Sequence, residues 1–256
     1  MDETYQVYLN RVARQTHPDT YRSQVQHLQE SPKFEQGRPL PFPGYTINTP
    51  GEVDTVNQAF YQNLKTVQAE LVERLGAELL IALPSESLHF TAADLIWDDT
   101  YRHAIAEQPD FESKLCTCLA ESFAQYAQML PERSPIELQL LGLLLRPRSI
   151  GVVLAPVEEQ SFVRLMQLRR AIYQNSELIG LGIEQQYPFT AHVPLGYFNP
   201  IPATLKREQL CDQLLAFNDR WIGTKPQILR SSQAALYQFE DMTHFEYRPH
   251  FPVVEF

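Results

Sequence analysis

The sequence is poor in cysteine, and the few that it has do not form a recognisable framework. Three cysteines occur in 256 residues, Cys116, Cys118 and Cys211. A sparse, odd number is typical of free thiols in a reducing compartment, so we expect a cytoplasmic protein without disulfides. Cys116 and Cys118 stand one residue apart and no second pair follows, which argues against a structural zinc site.

Positive charge and long apolar runs are also scarce. The chain has 21 basic and 31 acidic residues, a formal charge of −10. Tight binding to long duplex nucleic acid releases counterions through many Lys and Arg contacts, so this partner is not expected, whereas a small nucleotide needs few such contacts. The most apolar stretch, 138–154, is interrupted by Arg146 and Arg148, and falls short of the roughly 20 apolar residues of a membrane span. No membrane partner is expected, and the oligomeric state is left open.

Several catalytic signatures are absent. The sequence contains no G-x-x-x-x-G-K-[ST], G-x-G-x-x-G, G-x-S-x-G or H-E-x-x-H motif. Nucleotide-binding loops, dinucleotide folds, serine hydrolases and zinc proteases therefore lose their main sequence support.

The hydrophobic pattern predicts an N-terminal arm followed by one larger domain. Residues 1–43 are interpreted as an arm of two short helices and a Pro-rich linker over 31–43, where regular structure is not expected. Residues 44–256 repeat the order strand, helix, strand hairpin, which predicts a single two-lobed domain whose lobes meet near residue 150. The predicted helices are 5–15, 19–29, 53–75, 111–129, 158–173 and 205–221. The predicted strands are 44–47, 79–83, 88–97, 138–145, 151–154, 189–197, 228–237 and 243–247.

Two of the predicted strands carry a histidine beside a small polar residue. Side chains alternate along a strand, so Ser87, His89 and Thr91 share one face of the first. Thr190 and His192 share one face of the second. Each strand therefore presents an imidazole and a hydroxyl on the side away from its apolar residues.

A pair of histidines suits acid–base chemistry at a phosphorus atom. One imidazole removes a proton from the attacking oxygen and the other protonates the leaving oxygen, and the ordinary imidazole pKa of about 6.5 fits both roles. Hydroxyls two residues away can donate to the phosphate oxygens, and the scheme requires no metal and no cofactor. The remaining histidines are interpreted as structural or surface residues: His17, His27, His103, His244 and His250.

The duplicated motif resembles that of the 2H phosphoesterase superfamily, which includes RNA 2′,5′-ligase-like proteins and cyclic nucleotide phosphodiesterases. Its pattern is His, a hydrophobic residue, Ser or Thr, and a second hydrophobic residue, present twice. The two copies here are His89-Phe90-Thr91-Ala92 and His192-Val193-Pro194-Leu195. The similarity in element order extends from about residue 44 to the C-terminus.

The resemblance implies an α+β class of fold, two-lobed and pseudo-symmetric, with two antiparallel sheets around a central cleft and helices outside. It implies that His89 and His192 are catalytic and that Thr91 binds phosphate. The implied substrates are 2′,3′-cyclic phosphates, related cyclic nucleotides, RNA ends or short 2′–5′ linked oligonucleotides.

The second motif departs from the pattern at one position. Pro194 stands where Ser or Thr is expected and can donate no hydrogen bond, so one phosphate-binding hydroxyl is missing; a proline inside a strand also indicates an edge or a bulge. Thr190 lies on the same face and is a candidate substitute. The alternative is a nucleotide or RNA-end binding module with weak or lost catalysis. Metal-assisted hydrolysis is a third alternative, disfavoured because no acidic residue stands beside either histidine at ligand spacing.

Further candidates come from charge and aromaticity. Arg148 in the turn after 138–145 is a candidate phosphate ligand, because guanidinium binds phosphate in a bidentate manner. Arg146 in the same turn could also reach a phosphate, but a solvated turn charge is the favoured interpretation for it. Aromatic residues that could stack on a base, although such positions are more often core, are Tyr45, Tyr197, Tyr237 and Phe239.

Overall fold

Helices and strands alternate along most of the chain in the computed structural model, which describes residues 3–130, 132–222 and 227–256. The α-helices of these ranges are α1 (Tyr5–Ala13), α2 (Pro18–Gln24), α3 (Gln58–Leu75), α4 (Asp98–Glu107), α5 (Phe111–Met129), α6 (Glu159–Tyr173), α7 (Ser176–Gly180) and α8 (Arg207–Ile222). The strands are β1 (Phe34–Glu35), β2 (Arg38–Pro39), β3 (Gly44–Asn48), β4 (Leu80–Ala82), β5 (Thr91–Trp97), β6 (Ile136–Arg146), β7 (Ser149–Pro156), β8 (His192–Phe198), β9 (Ile228–Ser231), β10 (Gln233–Phe239), β11 (Phe245–Glu246) and β12 (Val253–Glu255).

The longer strands form two antiparallel sheets, as expected. The first sheet has the order β11-β10-β3-β5, with β12 also paired to β10, and the second has the order β4-β8-β7-β6-β9. β1 and β2 form a separate small hairpin. The expected α+β class is therefore confirmed.

The chain passes between the two sheets more than once, so it does not divide near residue 150. That position lies in β7, just after the β6–β7 turn, in the middle of the second sheet. The strand predicted over 228–237 is also divided. Its first part, β9, pairs with β6 in the second sheet, whereas β10 begins after Ser232 and pairs with β3 and β12 in the first. The junction itself is polar, Arg230-Ser231-Ser232-Gln233, and the prediction joined the apolar residues on its two sides into one strand.

Helix α3 shows why an apolar stripe overestimates a helix. Its stripe buries Phe60, Leu64 and Leu71. The helix begins at Gln58 and not at residue 53, because two 3₁₀ turns precede it. Val53 is 76% exposed and so does not extend the stripe into the core. Within the described ranges no helix is both long and apolar enough to cross a membrane.

The N-terminal arm packs into the core. Tyr8, Val12, Tyr21 and Val25 are each at most 1% exposed. The Tyr21 hydroxyl donates to the carbonyl of Leu143 in β6 (2.6 Å), and the Tyr8 hydroxyl accepts from the backbone N–H of residue 191 (3.1 Å). Removing the arm would expose these side chains and their partners in the second sheet, so it is part of the same folding unit.

The expectation that 31–43 lacks regular structure is wrong for its central part. Phe34–Glu35 and Arg38–Pro39 pair as a hairpin. The two intervening residues, Gln36 and Gly37, have φ values of 50° and 77°, the left-handed conformations of a tight hairpin turn. Proline is tolerated in so short a strand because its nitrogen faces no partner.

Candidate active site

A cavity of about 620 Å³ lies between the two sheets and the N-terminal arm. This volume is within the usual range of small-molecule sites. The first sheet contributes Thr91 and Asp94, the second contributes His192 and Tyr197, and the arm contributes Lys33. Three parts of the chain that are distant in sequence therefore enclose the same space.

His89 reaches the cavity from the segment just before β5. The strand expected over 88–97 begins at Thr91, and a 3₁₀ turn over Ser85–Ser87 precedes the histidine. The intervening backbone is nevertheless fixed, because Phe90 exchanges two hydrogen bonds with Thr49 (3.0 and 3.2 Å). Ser87, His89 and Thr91 all line the cavity, as the predicted alternation requires.

Irregular pairing brings further residues of β5 to the same surface. Thr91, Asp94 and Trp97 are spaced by three, yet all three line the cavity. The β3–β5 ladder contains two register shifts, each of which interrupts strict alternation. The Asp94 carboxylate accepts a hydrogen bond from the Tyr187 hydroxyl (2.7 Å).

Pro194 lies at a bulge, one of the two settings predicted for it. The β7–β8 register shifts between Ile150 and Gly151, so Leu195 has no Cα partner between Pro194 and Gly196. Gly151 faces this bulge so closely that a Cβ there would lie 2.5 Å from the Val193 carbonyl oxygen. The proline lines the cavity but brings no donor to it.

Both imidazoles are oriented by the backbone two residues upstream. His192 lies at the start of β8, and its Nδ1 is 2.8 Å from the Thr190 carbonyl oxygen. The backbone of Ser87 forms the corresponding hydrogen bond with His89. A carbonyl can only accept, so the ring nitrogen that faces it carries the proton, and the opposite nitrogen of the neutral ring has a free lone pair.

The cavity strongly favours the neutral form of both histidines. Burial lowers the pKa of His89 from its usual 6.5 to about 4. Burial and then the positive charge of Arg146 lower the pKa of His192 to about 3, with smaller contributions from His89 and Lys33. The edge of the Phe245 ring, whose centroid is 4.4 Å from that of His89, contributes to this dry setting.

Arg146 is not the solvated turn charge that the sequence suggested. The turn consists of Pro147 and Arg148, whereas Arg146 is the last residue of β6 and lines the cavity together with Arg148. Burial lowers the pKa of Arg146. Among the described residues neither arginine has a carboxylate partner at ion-pair distance. Two unpaired guanidinium groups therefore face one cavity in a chain of strongly negative net charge.

Lys33 is a further cavity residue that the sequence did not predict, because it lies in the segment interpreted as a linker. Its ammonium lies 4.2 Å from the centroid of the Phe42 ring and 3.2 Å from Sδ of Met242. Burial lowers the pKa of Lys33 to about 8. A lysine between Pro32 and Phe34 carries no motif, and only the folded arm brings it to the cavity.

The Thr91 hydroxyl belongs to a small polar cluster on the first sheet. Asn48 Oδ1 accepts hydrogen bonds from Oγ1 of Thr91 (2.9 Å) and from Oγ1 of Thr46 (3.1 Å). Both threonines line the cavity, while Asn48 is buried behind them with no partner for its Nδ2 within the described chain. The Thr91 hydroxyl is thus held at the cavity wall beside His89, with its hydrogen directed to Asn48.

Thr190 is not brought to the cavity. It precedes β8, and its hydroxyl accepts a hydrogen bond from Arg11 of α1 (2.9 Å). Of the aromatic candidates, Tyr197 and Phe239 line the cavity. Tyr45 instead packs in the core and donates to Glu112 (2.6 Å), and Tyr237 packs beside Tyr247. No group of three His, Cys, Asp or Glu side chains suited to a metal ion occurs in the described part of the chain.

Comparison with known proteins gives one family and several solved structures. Residues 33–107 match the family model described as "2H-phosphodiest: Domain of unknown function (DUF1868)". No curated protein matches the sequence. A conserved protein of unknown function from Agrobacterium tumefaciens strain C58 is 18% identical, with 87% of this chain and 91% of that chain covered and a TM-score of 0.54. At this identity the likeness is one of fold.

Two further solved structures are more distant. TT0787 of Thermus thermophilus is 15% identical, with 82% of this chain and 94% of that chain covered and a TM-score of 0.43. Escherichia coli LigT, complexed with 3′-AMP, is 12% identical, with 84% and 95% covered and a TM-score of 0.40. By its matched family model and its paired histidine motifs, this chain resembles the 2H phosphoesterase superfamily.

Proposed function

We propose that this protein is a metal-independent phosphodiesterase that hydrolyses 2′,3′-cyclic phosphates or other small cyclic or 2′–5′ linked nucleotides. One observation carries the proposal: His89 and His192 line the same cavity, each held by a backbone carbonyl two residues upstream. Two imidazoles beside guanidinium groups that have no carboxylate partner in the described ranges suit the transfer of protons around a bound phosphate anion.

We infer the two roles from the charge of Arg146. Arg146 lowers the pKa of His192 and is not among the groups that shift the pKa of His89, so we assign the general base to His192, whose neutral form it favours. His89 is then the general acid, since the negative charge of a bound phosphate raises its pKa. His192 removes a proton from the attacking water as its oxygen bonds to phosphorus. His89 protonates the ribose oxygen as the bond between that oxygen and phosphorus breaks.

The phosphate is held mainly by Arg146 and Thr91. A guanidinium in a partly dry cavity binds phosphate oxygens strongly. The Thr91 hydroxyl at the opposite wall donates to Asn48, and it becomes a phosphate donor when its one hydrogen turns from Asn48 to a phosphate oxygen. Arg148 at the turn is a further ligand near the opening. Thr190 is given no role, because it does not line the cavity.

The size and lining of the cavity favour a small nucleotide or RNA end over a long duplex. Tyr197 and Phe239 offer aromatic surfaces for a base, whose stacking is tolerant of sequence. A cavity of about 620 Å³ accommodates one small ligand, and the formal charge of −10 disfavours extended contacts with a phosphate backbone.

The alternative is a nucleotide or RNA-end binding module with weak or lost catalysis. Two observations favour it: Pro194 supplies no donor, and burial places the pKa values of His89 and His192 well below neutrality. Calorimetric binding and steady-state turnover of the same cyclic nucleotides separate the two functions. Binding without turnover would establish the module.

The test of the enzyme is replacement of each histidine by alanine. Loss of a general acid or base costs about 10²–10⁴ in rate, so His89→Ala and His192→Ala should both fall in this range, and the double variant should lose far less than the product of the two. The matched control is His250→Ala, whose side chain is 59% exposed beside Glu112. Full turnover in either active-site variant would remove that histidine from the mechanism, and loss of turnover with a chelator would contradict a metal-independent reaction.

A further inference from the structure

We propose that Arg169 forms an anion-binding site in a second cavity, outside the cavity that contains His89 and His192. The ligand is a small molecule that presents a carboxylate or phosphate group to this arginine. The site goes beyond the proposed function and does not depend on it, because neither histidine lines the second cavity.

The second cavity lies between α1, α6 and the segment that precedes β8, and its volume is about 620 Å³. Such a volume accommodates a small organic ligand and not only a bare ion. Tyr187 lines both cavities, so the two adjoin there, but the other described residues that line them differ. The lining of the second cavity includes guanidinium, amide and aromatic groups, among them Arg11, Arg169, Gln174, Gln186 and Phe189.

Arg169 is a buried charge without a counter-charge. The residue is 4% exposed, and no carboxylate of the described chain lies at ion-pair distance from its guanidinium. Its Nη1 donates to the Ala92 carbonyl (2.7 Å), and the Tyr173 hydroxyl is a second hydrogen-bond partner. Two neutral oxygens cannot satisfy five N–H donors, and burial of a charge is costly unless the charge is paired. An oxyanion in the second cavity would supply both the missing acceptors and the missing charge.

Aromatic rings hold the guanidinium of Arg169 in one orientation. Its central carbon lies 4.3 Å from the centroid of the Phe189 ring and 5.0 Å from that of the Tyr173 ring. Together with the hydrogen bond to Ala92, these contacts fix the group before a ligand binds, so binding costs little side-chain entropy. A planar guanidinium packed against rings presents its remaining donors along an edge, and that edge matches the two oxygens of a carboxylate or phosphate.

Arg11 in the same cavity has the kind of partner that Arg169 lacks. Nε and Nη2 of Arg11 each lie 2.8 Å from an oxygen of the Glu3 carboxylate, which makes a bidentate pair. Arg11 also donates to the Thr190 hydroxyl and to the Phe189 carbonyl. Its charge and its donors are therefore occupied, so a bound anion is directed to Arg169. The Glu3 carboxylate also lines this cavity and repels such an anion.

The experiment titrates the protein with inorganic phosphate and, separately, with acetate, and follows binding by calorimetry. Because phosphate is also expected in the histidine cavity, the Arg146→Met variant serves as the reference. Adding Arg169→Met to it should weaken binding of the anion about tenfold or more, the usual effect of losing a hydrogen bond to a charged group. The probe that binds more tightly identifies the group on the ligand, phosphate for a phosphorylated molecule and acetate for a carboxylic acid.

A second variant tests the site in the opposite direction and leaves Arg169 in place, so it decides the matter if Arg169→Met does not fold. Glu3→Gln removes the repelling carboxylate and frees Arg11, and in the same reference it should tighten anion binding severalfold. The matched control is Arg22→Met, which removes a surface arginine paired with Asp19 and should leave the affinity unchanged.

An affinity that survives Arg169→Met, or that does not rise in Glu3→Gln, overturns the second site, as does binding of neither probe. Failure of the proposed catalysis would appear in the histidine variants and would leave these affinities intact, because His89 and His192 lie outside the second cavity.

Discussion

The buried histidines should make the stability of the protein depend on pH well above the range in which most carboxylates titrate. In the unfolded chain both imidazoles have a pKa of about 6.5, whereas in the fold the values are about 4 for His89 and about 3 for His192. As the pH falls below 6.5, the two imidazoles bind protons in the unfolded state but stay unprotonated in the folded state. The stability that these groups contribute is therefore complete above pH 6.5 and is lost progressively as the pH falls toward the folded pKa values.

The size of the effect follows from linkage. Between pH 7 and pH 5 the unfolded state takes up most of one proton per histidine, while the folded state takes up almost none. Integration over this interval gives a loss of about 2 kcal/mol in the free energy of unfolding for each histidine, or about 4 kcal/mol for the pair. This is a large part of the net stability of a typical domain.

Urea unfolding at pH 7 and pH 5 measures the effect. The comparison is between the wild-type protein and the variants His89→Gln and His192→Gln, because carboxylate contributions are common to all three. Between pH 7 and pH 5, the free energy of unfolding of each variant should fall by about 2 kcal/mol less than that of the wild-type protein. Thr91→Val changes the cavity without removing a titrating group and should retain the full difference. A variant that keeps the wild-type pH dependence would show that its imidazole is not held neutral by the fold.

Three further outcomes are expected. Thr91→Val should lower kcat on a cyclic phosphate by about 10²–10³, the usual cost of one preorganised donor; wild-type turnover would place the phosphate elsewhere. Thr190→Val should leave kcat unchanged and lower the melting temperature, because Arg11 loses a hydrogen-bond partner; the opposite result would return Thr190 to the site. Arg146→Met should move the acid limb of the kcat/KM profile to higher pH, since removing a positive charge raises the pKa of His192, and an unmoved limb would contradict their coupling.

Short-range patterns in the sequence determined the local features of the site. Alternation along an extended chain placed Ser87, His89 and Thr91 on one face, and this holds although the segment before Thr91 is not a strand. Proline in an apolar run indicated the bulge at Pro194. Both features depend on neighbours a few residues apart, where backbone geometry alone decides the outcome.

Alternation failed where a distant segment intervened. Thr190 and His192 are two residues apart, but only His192 lines the cavity. The Thr190 hydroxyl instead accepts a hydrogen bond from Arg11 of the N-terminal arm. The division of 228–237 between two sheets has a similar origin, since strand partners and not the apolar pattern decided where one strand ended.

The sequence by itself determined the chemistry available to this protein, two histidines and a hydroxyl in strand-like settings, together with the α+β class. Tertiary structure alone decided which charges join them. Arg146 looked like a turn residue and Lys33 like part of a linker, and both reach the cavity only because β6, β8 and the arm pack together. The physical reason is burial: a charge acquires its effect on an imidazole when a fold removes water from between them, and no local pattern records that distance.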